Sequence, residues 1–186
     1  MTIASRSGQW TKRWYAVAEQ RSSFDAFQSE FDYLCRALRR LGVRAEDIED
    51  EAHEVFLVLD RKWAEYDRAR PLRPYLFGIA FRVVSARRRR QGREVSRPLD
   101  DVPGTEPGQD RILEIADTRR LVLAALSRVP LERRAVLVMH DIDEVAMRDI
   151  AKTLSIPMFT GYSRLRKARQ EFEAAVRALQ KEIKAP

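Results

Sequence analysis

The 186-residue sequence holds one cysteine, Cys35, and two histidines, His53 and His140. A single thiol can neither close an internal disulfide nor supply a cysteine-based zinc cluster, so a reducing cytoplasm is the expected setting. No apolar run approaches the ~18 residues that a membrane span needs. The opening residues, MTIASRSGQWTKRW, lack the continuous apolar segment of a secretory signal. Nothing resembles a lipid anchor, no stretch alternates as a strand would, and no internal repeat is visible. Acidic residues are in deficit. The 28 Asp and Glu stand against 35 Lys and Arg, for a net charge of +7 and a pI near 9.9. That balance suggests a polyanionic partner, nucleic acid before membrane. What is abundant is apolar and charged together, 45% and 34%, which argues for a folded soluble chain rather than disorder.

The apolar residues recur at helical spacing almost throughout. Residues 1–21 contain Trp10, Trp14 and Tyr15 but no clean period. Ser22 with Asp25 offers a capping box. Phe24, Phe27, Phe31, Leu34, Leu38 and Leu41 then predict one helix closed by Gly42. A second helix is expected from about 45 to 66, with Ile48, Ala52, Val55, Phe56, Leu59, Trp63 and Tyr66 inward and Asp47, Asp50, Glu51 and Glu54 on its other face. Pro71 marks 67–73 as a turn, and Pro74 suits the first turn of a third helix. That helix buries Leu76, Ile79, Ala80, Val83 and Val84 and ends in Arg87, Arg88, Arg89 and Arg90. From 91 to 109 Gly and Pro replace the period, which reads as a linker. Ile112 to Val129 predict a further helix, and Pro130 starts another. The expected fold class is all-α: two small helical modules joined by a flexible linker, spanning 22–92, 93–110 and 111–182.

The second module ends in EVAMRDIAKTLSIPMFTGYSRLRKAR (144–169). Ile150, Ala151 and Leu154 share one face of a short helix, which Pro157 ends. In the following helix Gly161, Leu165, Ala168, Phe172, Val176 and Leu179 line one side, while Phe159, Ser163, Arg166 and Lys167 line the other. Two short helices with a tight turn, the second polar and basic outside, form the pattern of a DNA-reading helix-turn-helix. The plainer alternative is a pair of core helices with a solvated basic face. For the acidic row the alternatives are a solvated face, a docking surface for a basic partner, or a metal site built on Asp50 and Glu54. No second ligand cluster supports the last, so no metal, cofactor or catalytic residue is expected.

Three stretches, in register, resemble the extracytoplasmic-function (ECF) class of bacterial sigma factors. EDIEDEAHEVFL (46–57) is similar to the family's acidic "EDLVQEVFL" helix, and YDRARPLRPYLFGIAFR (66–82) to its "FDPERPFRPWLFRIARN". Residues 126–169 resemble its "L-P-x-x-R-x-V-L" helix followed by "EIAxxLGIPxGTVKSRLxRAR". The likeness covers about 23–180. It implies a non-enzymatic component that binds core RNA polymerase and directs it to promoter DNA, with region 2 in the first module and region 4 in the second. Asp50, His53 and Glu54 would then face the polymerase, His53 standing where the family often has Gln. Tyr66, Arg73, Tyr75, Arg82 and Arg87 to Arg90 would serve the −10 element, with aromatics for unstacked bases and cations for phosphate. His140, Thr160, Tyr162, Ser163, Arg166 and Lys167 would serve the −35 element. Family members are commonly held inactive by an anti-sigma protein, which joins the implied partners. The alternative function is a helix-turn-helix regulator that works without polymerase.

Several residues depart from the family pattern. Phe81-Arg82 stands in place of Arg-Asn, so a base contact by that Asn does not carry over. Phe159 replaces Gly, Gly161 Val, Tyr162 Lys, and Ala146 the capping Ser. Gly161 costs ~1 kcal/mol against Ala in a helix, and the missing cap about another ~1, so a loosened helix-turn-helix is the expectation.

Overall fold

Ser22 caps the first helix among the described residues. The computed structural model describes residues 22–91 and 110–184, so the expectations for residues 1–21 and for the linker expected at 93–110, apart from Asp110, which begins a helix, lie outside the described residues. The expected capping box forms. The Ser22 hydroxyl accepts from the Asp25 N–H at 3.0 Å, and the Asp25 carboxylate accepts from the Ser22 N–H at 3.3 Å. Instead of one helix to Leu41 there are two, α1 (Ser23–Ser29) and α2 (Phe31–Leu41). Glu30 leaves helical geometry between them, at φ −113° and ψ 10°. The break lets α1 tilt onto the next helix, α3 (Ile48–Lys62). There Phe24 and Phe27 meet Phe56 at ring separations of 6.1 and 5.0 Å, and the Ser23 hydroxyl bonds Asp60. Phe24 and Phe31, expected inward, remain partly exposed as a result. Leu34, Ala37, Leu38 and Leu41 form the buried stripe of α2. Gly42 ends it at φ +87°, a left-handed conformation that only glycine adopts without strain.

Short 3₁₀ turns, Ala45–Asp47 and Trp63–Glu65, flank α3. Helix α4 (Leu72–Gln91) carries Pro74 in its first turn, where the missing N–H costs nothing. It buries Leu76, Phe77, Ile79, Ala80 and Val84. The second module contains α5 (Asp110–Ser127), α6 (Leu131–Leu137), a π turn at Val138–Ile142, α7 (Met147–Leu154) and α8 (Met158–Lys184). Every regular element among the described residues is helical. None of these helices is long and apolar enough to cross a membrane.

The two modules share a single hydrophobic core. It runs without interruption from Tyr33 and Leu34 of α2 through Phe77 and Ile79 of α4 to Val136, Ile150 and Leu165 of the second module. Periodicity predicts the apolar face of each helix but not which helices meet, so this docking is visible only in three dimensions.

Candidate nucleic-acid and partner interfaces

Helices α7 and α8 form the expected helix-turn-helix. Met147, Ile150, Ala151 and Leu154 point inward. Ser155 turns the chain at φ 53°, and the Ile156 N–H reaches back to the Ala151 carbonyl at 2.9 Å. Ala146 caps α7 with no side-chain hydrogen bond, as its methyl requires. Helix α8 nonetheless runs unbroken through Gly161. A Cβ at that position would lie 2.5 Å from the Met147 sulfur, so the glycine lets α7 and α8 approach closely and Met147 fills the space. Arg166 and Lys167 project into solvent, Tyr162 is exposed and Phe159 is 84% exposed. Thr160 and Ser163 are half-buried on the flank. The outward face of α8 is therefore polar and basic with two protruding aromatics.

His140 lies on the π turn beside this helix and is half-buried. Its Nδ1 is 2.7 Å from Asp141, which also accepts two bonds from Arg169 of α8, at 2.8 and 2.6 Å. The Arg169 bonds hold the Asp141 carboxyl below the usual carboxylate range. A carboxylate whose pKa is depressed by folding stabilises the fold above its unfolded value, and that contribution is lost as pH falls through the folded value. Replacing Asp141 with Asn should therefore lower Tm at neutral pH and flatten its acid limb below about pH 4. Thermal melts of both proteins across that range would reveal parallel limbs if the tether were inert.

In the first module, Tyr66 and Tyr75 meet with ring centroids 4.7 Å apart, and Trp63 stacks on Tyr66 at 5.3 Å. Asp67 folds the loop through Ala69 N–H and Arg70, and the Tyr66 hydroxyl donates to the Arg70 carbonyl at 2.6 Å. Arg73 pairs with Glu30 at 2.8 Å and lies over the Tyr33 ring. Arg82 donates to the Thr153 carbonyl of α7 at 3.3 Å.

The basic end of α4 divides. Arg89 and Arg90 are exposed, but Arg87 pairs with Asp47 at 2.8 Å and Glu51 at 2.6 Å. Arg88 turns inward to the Leu41 carbonyl at 3.1 Å, and burial pushes its pKa down. Arg87 and Arg88, expected among the phosphate contacts, thus hold α4 to α2 and α3 in this arrangement. The same pairing corrects the acidic face. Glu51 is 5% exposed and Asp47 half-buried, so neither belongs to an open carboxylate row. Asp50, His53 and Glu54 do stand exposed on α3, with Leu57 one turn on. No His, Cys, Asp and Glu cluster suited to a metal occurs among the described residues.

Sequence reasoning missed Arg134. It is 2% exposed, yet it faces no carboxylate. Its guanidinium donates to the carbonyls of Val129 (3.1 and 2.8 Å), Ser127 (2.6 Å) and Leu41 (2.8 Å). Burial, with Arg88 nearby, pushes its pKa down to about 9, so it stays protonated at neutral pH. Ser127 and Leu41 end α5 and α2, so the cation sits where helix C-termini from both modules converge. Asp143 was missed as well. It accepts from Tyr33 at 2.7 Å and from Arg40 at 3.0 Å, both on α2. Between the modules lies a cleft of about 1320 Å³, lined by Tyr66, Tyr75, Arg73, Arg82, Asp143 and Lys152 among others.

Comparison with known proteins follows the same two-part division. Residues 26–94 match the Sigma-70 region 2 family and residues 119–172 the Sigma-70, region 4 family. The ECF RNA polymerase sigma factor SigM of Mycobacterium tuberculosis is 29% identical over 154 residues, which cover 82% of this chain and 76% of SigM. SigE of Mycolicibacterium smegmatis, another ECF RNA polymerase sigma factor, is 28% identical over 144 residues, or 75% of this chain and 56% of SigE. Among solved structures, the sigma factor RpoE from Bartonella quintana, in complex with the anti-sigma factor NepR, superposes with a TM-score of 0.62 at 18% identity. That match covers 81% of this chain and 96% of RpoE. CnrH, in complex with the cytosolic domain of CnrY, gives 0.57 at 20% identity over 88% of this chain and 94% of CnrH. At those identities the superpositions speak to the fold.

Proposed function

The chain belongs to the extracytoplasmic-function class of sigma factors, and from that premise we propose how its residues divide the work of promoter-directed initiation. It binds core RNA polymerase and directs it to promoters. The observation that carries this function is the pair of sigma regions, in order and at full spacing, within one chain. A regulator acting without polymerase has no use for the first of them. The chain works as a non-enzymatic subunit, in the cytoplasm where polymerase and chromosome are. Core polymerase and promoter DNA are its partners, with an anti-sigma protein as the inhibitory one.

Residues 22–92 act as region 2 and 111–182 as region 4. Asp50, His53 and Glu54 form the polymerase contact, and their exposure on one face of α3 supports that role. The paired rings of Tyr66 and Tyr75 offer a platform for unstacked −10 bases, with Arg73, Arg82, Arg89 and Arg90 gripping the strand. Thr160, Tyr162, Ser163, Arg166 and Lys167 enter the −35 major groove, where Arg and Lys donors suit the O6/N7 edge of guanine. His140 approaches the adjacent backbone.

The test is transcription by the reconstituted holoenzyme on a panel of −35 mutants. Arg166→Ala or Lys167→Ala should lose about 1–3 kcal/mol of base discrimination and so relax the −35 preference. Arg89→Ala with Arg90→Ala should weaken every promoter alike and flatten the salt dependence. If the Arg166 and Lys167 variants lose activity equally on all −35 sequences, those side chains only hold phosphate.

A further inference from the structure

Phe159 is the most exposed large apolar side chain among the described residues, at 84%. It lies outside the hydrophobic core, so its ring adds little to folding. A single exposed apolar residue is ordinary, but Met158 and Tyr162 beside it are exposed as well. The three make an apolar tip on a helix whose outward face is otherwise basic through Arg166 and Lys167. No acidic residue stands in the first turn of α8, so the tip opposes no polyanion. The Gly161 N–H bonds the Pro157 carbonyl at 3.0 Å, which places Phe159 within that first turn. At about 100° per residue, Arg166 falls ~20° from Phe159 around the helix axis, Ser163 ~40° and Tyr162 ~60°. The buried Leu165, Gly161 and Ala168 fall ~120°, ~160° and ~180° away. Phe159 therefore occupies the middle of the outward face. In a helix-turn-helix the N-terminal residues of the second helix contact base edges. An approach that brings Ser163 and Arg166 to the −35 bases brings the Phe159 ring into the same groove.

We propose that Phe159 is a sequence-reading residue of this chain, its ring packing on the C5-methyl group of a thymine in the −35 element. The proposal rests on the sigma reading above and adds to it a residue and a base. Base faces are stacked inside a duplex, so only base edges meet a side chain in the major groove. Those edges present hydrogen-bond donors and acceptors, and the thymine methyl is their one methyl group. A phenyl ring neither donates nor accepts. Over G·C it would cover polar atoms without replacing their water, which is unfavourable. Over a thymine methyl both surfaces gain by leaving water. Where the similar motif has Gly there is no side chain to make this contact, so the preference would belong to this chain. The register follows from the helix. Arg166 lies seven residues beyond Phe159, or ~10.5 Å along the axis at ~1.5 Å per residue. That distance is about three base-pair steps of ~3.4 Å. The thymine should lie about two to three base pairs from the guanine that Arg166 reads.

Uracil differs from thymine only by that methyl, so exchanging the two isolates the contact. Holoenzyme built from the full chain and core RNA polymerase is given a pool of promoters randomised at −35. An active template is then rebuilt with uracil in place of each −35 thymine, on either strand in turn. One such exchange should lower wild-type transcription about fourfold, the factor for losing one buried methyl at ~0.8 kcal/mol. Phe159→Ala should transcribe the thymine template about fourfold less than wild type and lose nothing more with uracil. Its thermal melt should match wild type, as expected for a surface side chain outside the core. Wild-type transcription indifferent to uracil at every position overturns the proposal. If Phe159→Ala still weakens all promoters in that case, the ring grips the DNA backbone or a protein partner instead. A Phe159→Ala variant that keeps the full uracil loss overturns it too, because another side chain then reads the methyl. A wild-type holoenzyme that transcribes no member of the pool overturns the sigma reading itself, and the thymine contact with it.

Discussion

Reversing Asp50 and Glu54 to Lys should reduce affinity for core RNA polymerase at least about a hundredfold, because close charge pairs at interfaces carry ~1.5–7 kcal/mol of coupling and like charges repel. Both side chains are exposed and make no ion pair within the described chain. The fold should tolerate the change to within about 1 kcal/mol, since surface substitutions are usually mild. Asp50 lies in the first turn of α3, where a cation opposes the helix dipole and costs ~0.3–1 kcal/mol. Asp50→Asn with Glu54→Gln removes the charges without that cost and should weaken binding less. Affinity measured by titrating labelled chain with core enzyme, beside thermal melts of each variant, separates docking from folding. Unchanged affinity of the Lys pair would remove α3 from the interface.

Replacing Arg134 with Met should destabilise the protein by about 3–5 kcal/mol, the range for breaking a buried charged hydrogen-bond set. The Met side chain fills much of the space but offers no donor, so the Ser127, Val129 and Leu41 carbonyls lose their guanidinium partner. Lys is no rescue, because a single ammonium cannot reproduce the planar fork that spans three carbonyls. For a fold of this size the loss corresponds to roughly 6–20 °C in Tm. Gly42 shares the dependence. A side chain there would meet the Arg134 guanidinium and would also have to adopt φ +87°, so Gly42→Ala should melt early as well. A shift of Arg134→Met under about 2 °C would show that water replaces the guanidinium without cost.

Much of this protein is legible in its sequence for local reasons. The three-and-four spacing of Leu34, Leu38 and Leu41 or of Ile150 and Leu154 fixes helices and their buried faces, because 3.6 residues per turn is a property of the backbone. Ser22 with Asp25, Gly42 and Pro130 mark helix ends through bonds to their own neighbours. The exposed Asp50, His53 and Glu54 and the basic outer face of α8 follow from the same periodicity. Tertiary structure decided the rest. Nothing between Phe24 and Leu41 announces the break at Glu30, which arises because Phe24 and Phe27 pack on Phe56, 32 and 29 residues away in the chain. Four consecutive arginines look equivalent in sequence, but Arg87 finds Asp47 and Glu51 while Arg88 finds Leu41. Arg134 is the clearest case. A charged residue reads as surface, and its burial becomes tolerable only where the C-terminal carbonyls of α2 and α5 converge. Those ends are brought together by the docking of one module on the other, and no spacing within either module encodes it.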